Sequence, residues 1–422
     1  MTDASASPPD AALPLQRVAA ATRGTYLAFI GAGFAFASWA ARIPQVRDRL
    51  HLSAAELGLV LLAIAGGSLV ALPLAGVIVH RYNSRRTVAV MSLLLAVGLT
   101  IVAIGYLTGV VVVLIGLFLV GFGNGAWDVA MNVQGAIVER HRRRAIMPRF
   151  HAGFSIGTVA GALLGALMVA VHISVTIHLL AVAALIAAAV PVAVKDFVPD
   201  TEGDPTPSGS PLEHSDAVSG RLTGLIRWRE PRTLLIGVVV LAFAFTEGSG
   251  NDWIGVALID GYGASAAIGS LGFAAFLAAM TAVRWFGTGL LDRYGRVAVL
   301  RGLAVVAIVG LGLFVFSPFT PLAFVGALLW GAGASLGFPV GMSAAADDPA
   351  AAAGRVSVVA SIGYCAFLGG PPLIGFLGIR ITVLHALLSV AVLLAVAMLL
   401  ADALRPLRSG ADHADSDRRV RR

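Results

Sequence analysis

The polar residues that could carry chemistry are few, and most of them interrupt long apolar runs. Asn124, Asp128 and Asn132 recur every four residues, a spacing that stacks them on one face of a helix. Gly121 and Gly125 share that side, where small residues let helices approach. A carboxyl between two amides can take up a proton or a cation along a cavity wall, or it can clamp a neighbouring helix. The residues leave both readings open. Glu247, Asn251 and Asp252 form a second group around Gly248-Ser249-Gly250, a stretch of poor helix propensity. Glu247 can serve as a substrate or proton site, or pair with Arg284 or Arg42; Asp252 reads as an outer gate or cap. Arg284 can bind an anion, pair with an acid, or run its alkyl stem toward water. His151 titrates in the range of a proton relay, although a hydrogen-bonded histidine at a helix start reads the same way. Tyr364 adjoins Gly369-Gly370-Pro371-Pro372 and is expected to face a cavity.

The elements that position these groups follow from composition. Of 422 residues, 58% are apolar and 13% charged, and the mean hydropathy is +0.88. A soluble fold carries about 25% charged residues, so a cytosolic enzyme, a nucleic-acid binder and a disordered chain are excluded. The net charge of +7 lies in short basic clusters between apolar runs, as in the cytoplasmic loops of a membrane protein. Cys365 is the only cysteine, so neither an internal disulfide nor a cysteine metal site is available. The first 16 residues are polar, so no cleavable signal peptide is expected and the first apolar segment directs insertion. There is no G-x-x-x-x-G-K-[ST] loop to bind ATP, no nucleophile–base pair and no metal-ligand cluster. Neither an enzyme nor a metal or other cofactor is expected.

A helix crossing the ~30 Å hydrocarbon core needs about 20 mostly apolar residues. Twelve segments fit: roughly 23–41, 54–79, 87–107, 109–138, 150–171, 173–194, 233–258, 265–291, 297–316, 319–344, 355–377 and 380–403. With the N-terminus inside, the inner loops and tails hold 25 of the 30 basic residues; Arg42, Arg47, Arg49 and Arg380 lie outside, and Arg284 lies within a span. Cytoplasmic residues should carry this excess, so both termini are expected in the cytoplasm. Residues 195–231 are rich in Pro, Ser, Gly, Asp and Glu, too polar to offset their ordering entropy. The expected organisation is a tail over 1–22, six helices over 23–194, a linker over 195–231, six helices over 232–403 and a tail over 404–422. Glu247 then lies about 22 Å along span seven, past the midplane, and Arg284 about 12 Å from the cytoplasmic end, at about 1.5 Å per residue.

The halves repeat each other. Ser53-Ala54-Ala55 returns 212 residues later as Ser265-Ala266-Ala267, and His80-Arg81-Tyr82-Asn83 returns as Asp292-Arg293-Tyr294-Gly295. The same offset aligns Gly121 and Gly125 with Gly333 and Gly337, whereas Ser155-Ile156-Gly157 and Ser361-Ile362-Gly363 match at a slightly different one. An even number of spans per half makes the repeat parallel, related by an axis along the membrane normal.

Twelve spans in a 6+6 split with a D-R-x-G-R turn after span eight resemble the major facilitator superfamily, whose signature loop reads G-x-x-x-D-R-x-G-R. The second copy here is Asp292-Arg293-Tyr294-Gly295-Arg296, with Thr288 at the place of the leading Gly. The first keeps Gly76, Arg81, Arg85 and Arg86 but has His80 for the Asp and Asn83 for the Gly. Gly121-Phe122-Gly123-Asn124-Gly125-Ala126-Trp127-Asp128, Phe150-His151-Ala152-Gly153-Phe154, Glu247-Gly248 with Asp252-Trp253, Met280-Thr281 with Arg284, and Gly363-Tyr364 with Gly369-Gly370-Pro371-Pro372 look like the YbjJ group of bacterial inner-membrane transporters, related to the fucose permeases. The resemblance spans residues from about 23 to 403. It implies an all-helical, two-bundle transporter in the inner membrane, without implying a substrate. The expected cargo is a small polar solute, sugar-like or another metabolite, moved by alternating access; buried Asp128 and Glu247 motivate proton coupling, and a monomer is expected. The resemblance also implies a cytoplasmic latch formed by Gly76, Arg81, Arg85, Asp292, Arg293, Gly295 and Arg296. An exporter of metabolites or drugs, and a non-transporting sensor on the same fold, are the alternatives; the missing Gly-Pro pair in span five counts against the first and the absence of a folded output domain against the second.

Overall fold

The computed structural model describes residues 14–142, 146–200, 227–348 and 351–406. Every regular element among them is helical, as hydrocarbon demands of an open chain, since it offers nothing to bond a free backbone group. Among the described residues, eleven helical stretches are long and apolar enough to cross a membrane. One of these, Ala54–Thr108, runs to 55 residues and holds two spans, because Asn83 breaks it at φ 67°, ψ 163°. The twelve expected spans are therefore present. In order they are Leu15–Ala40, the two parts of Ala54–Thr108, Val110–Arg142, Met147–Ala170, Val175–Ala193, Pro231–Tyr262, Ala266–Phe286, Thr288–Phe316, Thr320–Ala334 continued by Gly337–Ala345, Ala352–Ile381, and Val383–Ala386 with Leu388–Leu400. Most of the expected linker, residues 201–226, lies outside the described residues.

Three local features depart from the sequence reading. Span one is helical from Leu15, ahead of the apolar run, because nothing between Leu15 and Arg23 breaks a helix. A short helix, Ile43–Arg49, follows it, with Pro in its first turn and Ile43, Pro44 and Val46 buried; its charges had made the segment read as loop. Span ten is interrupted at Ser335 and Leu336, between Thr320–Ala334 and Gly337–Ala345.

The described residues fall into two compact units. One holds span one to Trp39, Ala63–Gly161 and the residues from Thr176 to the start of the linker. The other holds Ala40–Leu62, Ala162–Val175 and spans seven to twelve. Large apolar side chains such as Val97, Ile104, Val111, Val309, Val392 and Leu399 remain exposed along the helices, a pattern suited to lipid rather than water.

The repeat is visible in the backbone. Gly295 interrupts span nine at φ 76°, ψ 164°, 212 residues after Asn83 with nearly the same angles. Ser53 caps span two through the amide of Glu56 (3.3 Å) and Ser265 caps span eight through that of Ile268 (3.4 Å). Spans three and four meet where a methyl added to Gly98 would lie 2.8 Å from the Gly116 carbonyl oxygen, and spans nine and ten where one on Gly310 would lie 2.8 Å from that of Gly326. Gly121 abuts the backbone of Ile64, as Gly331 abuts that of Phe276. These pairs correct the alignment of span four: its offset to span ten is 210, so Gly121 answers to Gly331 rather than Gly333. The chain from Gly310 to Gly326 is two residues shorter than that from Gly98 to Gly116, because span nine stops early at Phe316, where Pro318 disfavours helix at Ser317.

Candidate functional site

Glu247, Arg284 and the break in span ten converge within the second unit. The Arg284 Nη2 donates to Glu247 Oε2 at 2.7 Å, and its Nε donates to the Ser335 carbonyl at 2.9 Å. Carbonyls at a helix end have no intrahelical partner, so the interruption at Ser335 supplies the acceptor that fixes the guanidinium. The two side chains are 19% and 27% exposed. Of the five N–H donors of an arginine, two are engaged among the described residues, and Glu247 Oε1 has no protein donor there. Of the sequence readings for Glu247 and Arg284, ion pairing between them is the one this geometry realises. It leaves a fixed group with both donor and acceptor capacity to spare.

Span four carries the second group. Asn132 Nδ2 donates to the Asp128 carbonyl (2.8 Å) and to its Oδ1 (3.3 Å). The bond runs along one helix rather than across to a neighbour. Asn124 is half-buried and its Oδ1 is buried with no hydrogen-bond partner. The three residues thus form a half-buried strip whose first member lacks a donor.

Asn251 and Asp252 line a cavity of about 10 Å³ together with Ala40, Ala41, Ile43, Pro44, Gly255, Ser270 and Phe273. Asn251 Oδ1 is buried without a partner, and Asp252 makes no hydrogen bond or ion pair among the described residues. His151 is exposed, its ring edge-on to Phe29 at 5.1 Å. Tyr364 is half-buried between Phe338 (6.4 Å) and Phe367 (6.2 Å).

The two signature turns differ in what they hold. In the second, Arg296 Nη1 pairs with Asp347 Oδ1 at 2.6 Å and its Nη2 donates to Ser343 Oγ at 3.0 Å. Arg232 pairs with the other oxygen of Asp347 at 2.9 Å. Asp292 is exposed and makes no ion pair among the described residues, while Arg293 lies over the Tyr294 ring at 5.2 Å. In the first, Ser84, which answers to Arg296, bonds Gln134 at 3.2 Å and takes Asp200 on both its amide (2.7 Å) and its hydroxyl (2.5 Å). Gln134, turned to satisfy both its groups, pairs with the N–H and C=O of Val198 at 2.9 and 3.0 Å. Arg81 lies over Tyr82 at 5.7 Å. Gly76 and Arg85 are exposed, and a methyl on Gly76 would meet nothing within 4 Å.

Several contacts escaped the sequence reading. Asp347, shared by two arginines, and Asp200, at the N-terminus of span three, are ordinary loop acids in one dimension. Glu139 accepts from the amides of Ile146 and Met147, both at 2.7 Å, and so caps span five. Arg47 holds Asp260 with two bonds of 2.5 and 2.9 Å, although Arg47 had served only in the count of outer charges. Just before span seven, Glu230 accepts from Arg355 (2.7 Å), Thr233 (2.8 Å) and Arg227. Arg355 above all, with Arg227 and Thr233, holds its carboxyl down at about 2.

The comparisons with known proteins agree with this architecture. The profile of the Major Facilitator Superfamily matches residues 25–369. An uncharacterized MFS-type transporter of Yersinia pestis is 30% identical over 356 residues, which is 84% of this chain and 88% of that one. The nucleoside transporter NupG shares the fold with a TM-score of 0.71 at 15% identity, covering 92% of this chain and 99% of its own. The fucose:proton symporter FucP of E. coli does so with a TM-score of 0.56 at 14% identity, covering 93% and 100%. With twelve helical spans, a doubled signature turn and a match over most of its length, the chain belongs to the Major Facilitator Superfamily and is a multi-pass membrane transporter.

Proposed function

We propose that this transporter moves a small, hydroxyl-rich solute, sugar-like or a related metabolite, across the bacterial inner membrane, driven by protons and working as a monomer. The halves over 23–194 and 232–403 alternate their openings, and both termini lie in the cytoplasm, on the strength of the basic-residue bias. Assignment to the fucose-permease-related branch near the YbjJ group rests on the strings around Asp128, Glu247 and Gly363. The observation that carries the substrate class is the Glu247–Arg284–Ser335 group. A guanidinium pinned by a backbone carbonyl and a carboxylate, with spare donors beside a spare acceptor, matches a neutral polyol better than a bare anion. NupG, a nucleoside transporter, and FucP, a fucose:proton symporter, handle solutes of that class. Asp128, with Asn124 and Asn132, serves as the proton-accepting strip, and His151 and Tyr364 contribute to the substrate or proton pathway.

The test is uptake into proteoliposomes with an imposed inward pH gradient, across a panel of sugars, nucleosides, amino acids and organic acids. Gradient-driven uptake of a polyol is expected, with its loss in Asp128→Asn and at least tenfold weaker half-saturation in Arg284→Ala. Uptake in Asp128→Asn that still follows the gradient would remove Asp128 from coupling. Uptake of organic acids alone would overturn the substrate class.

A further inference from the structure

The short helix Ile43–Arg49 and the residues before it lie against span seven within one compact unit. Ser270 Oγ donates to the Ala41 carbonyl at 3.0 Å. Gly255 faces Pro44 so closely that a methyl there would lie 3.2 Å from the Pro44 ring. Arg47 clasps Asp260 at the end of the same span. Together these contacts close residues 40–49 over a space of about 10 Å³, room for about one water. Into that space the chain places Asp252 and the partnerless Oδ1 of Asn251.

Among the described residues, nothing in this space balances a negative charge, and none of the other lining residues ionises. The charged groups on the elements packed around it are engaged elsewhere or sit at helix ends. Arg42 donates to the Ile173 carbonyl. Arg47 is taken by Asp48 and Asp260, Arg284 by Glu247 and Ser335, and Arg355 by Glu230 and Asp348. Arg232 and Arg296 share Asp347, Asp402 pairs with Arg301 and Arg405, Arg380 is exposed, and His385 bonds Thr382. Asp252 is half-buried, and a charge held in such a space without a counter-ion is disfavoured. A neutral acid costs far less, and its O–H adds a donor to a space that already holds an unmet acceptor.

We infer that Asp252 is the proton-binding site through which closure of residues 40–49 over span seven is coupled to protonation. This rests on the reading of the protein as an alternating-access transporter whose outer side is the end opposite the Asp292–Arg296 turn. A proton from the outer solution binds the carboxylate, the carboxylic acid is enclosed, and Arg47 then closes on Asp260. The site is separate from the Glu247–Arg284 pair, which needs no proton because each charge has the other. Three oxygen-bearing side chains around a one-water space leave little for a sodium ion to coordinate.

The test uses the full chain in lipid nanodiscs with Cys365 replaced by Ser. Spin labels at Arg49→Cys and Ile268→Cys report the distance between the short helix and the start of span eight by double electron–electron resonance. The ratio of short to long distances is expected to rise about tenfold per unit fall in pH above its midpoint, as binding of one proton requires. Asp252→Asn should give the short distance at every pH, and Asp252→Glu should restore the dependence. Gly255→Leu, which wedges Pro44 away, should give the long distance throughout. A pH-invariant ratio in the parent protein, an unchanged pH slope in Asp252→Asn, or a ratio that follows sodium at fixed pH would each overturn the assignment. No solute enters the measurement, so solute flux without pH-dependent closure sinks this inference alone, whereas missing flux bears only on the proposed substrate.

Discussion

The turn after span two and the turn after span eight occupy the same place in the repeat and share a backbone, yet they are held by different chemistry. Asn83 and Gly295 lie within ten degrees of each other in φ and ψ. One residue further, the first turn presents Ser84 to a carboxylate and an amide, and the second presents Arg296 to a carboxylate that also serves Arg232. The acid arrives from the start of the linker in one case and from the end of span ten in the other. What the halves have in common is therefore a fold of the backbone, and the side chains that secure it have been chosen separately. The second turn is ionic and the first is a capped helix start.

Substitutions should separate the two devices. Asp347→Ala is expected to be the most damaging, since it removes the carboxylate shared by two arginines. A fully buried pair broken on one side costs about 3–5 kcal/mol, and with the arginines a quarter exposed about 2 is expected, read as a fall in melting temperature of the detergent-purified protein. Gly295→Ala forces a side chain into a region that only glycine occupies freely, at about 1–3 kcal/mol. Asp200→Ala removes a helix cap, at about 1 kcal/mol, and should hurt less than Asp347→Ala; the reverse order would end the distinction drawn above. Asn83 sits in the same strained region but caps span three through Arg86 N (2.9 Å). Asn83→Gly is thus expected to be neutral or stabilising, and Asn83→Ala to lose about 1 kcal/mol.

The smallest effect concerns acid. Glu230 belongs to an ionic cluster in the second half, and its carboxyl is held at about 2 against an ordinary 4.5. A depressed value means the stabilisation is fully present above about pH 4.5 and is lost as pH falls toward 2. Melting temperatures of Glu230→Gln and the parent, recorded from pH 6 to pH 2.5, should converge at the acid end. Curves that stay parallel would show that the cluster adds nothing through its charge.

Much of this fold is legible in one dimension because lipid makes it so. Twenty apolar residues can only be a spanning helix, and the D-R-Y-G-R turn and the 212-residue offset survive as strings. The two-residue slip in span four is invisible, since Gly121 and Gly333 are both glycines near the right spacing and only the contacts to Ile64 and Phe276 tell them apart. The pairing of Glu247 with Arg284 was one of several open readings, and distance selects it. The clasp of Arg47 on Asp260 joins residues 213 apart, and nothing local marks either partner. Asp200 was hidden by its surroundings: it stands at the edge of a segment too polar to suggest a structural role, yet it holds Ser84 where Asp347 holds Arg296 in the other half.

The bond from Arg284 to the Ser335 carbonyl has a consequence for how this protein can change. A side-chain partner disappears when its residue is substituted, but a carbonyl is offered by whatever amino acid stands at position 335, provided the interruption persists. The contact at 335 therefore survives substitution there, whereas the contact at 247 depends on the side chain. Substitution at 247 is expected to change the acceptor beside the guanidinium while the backbone keeps Arg284 in place.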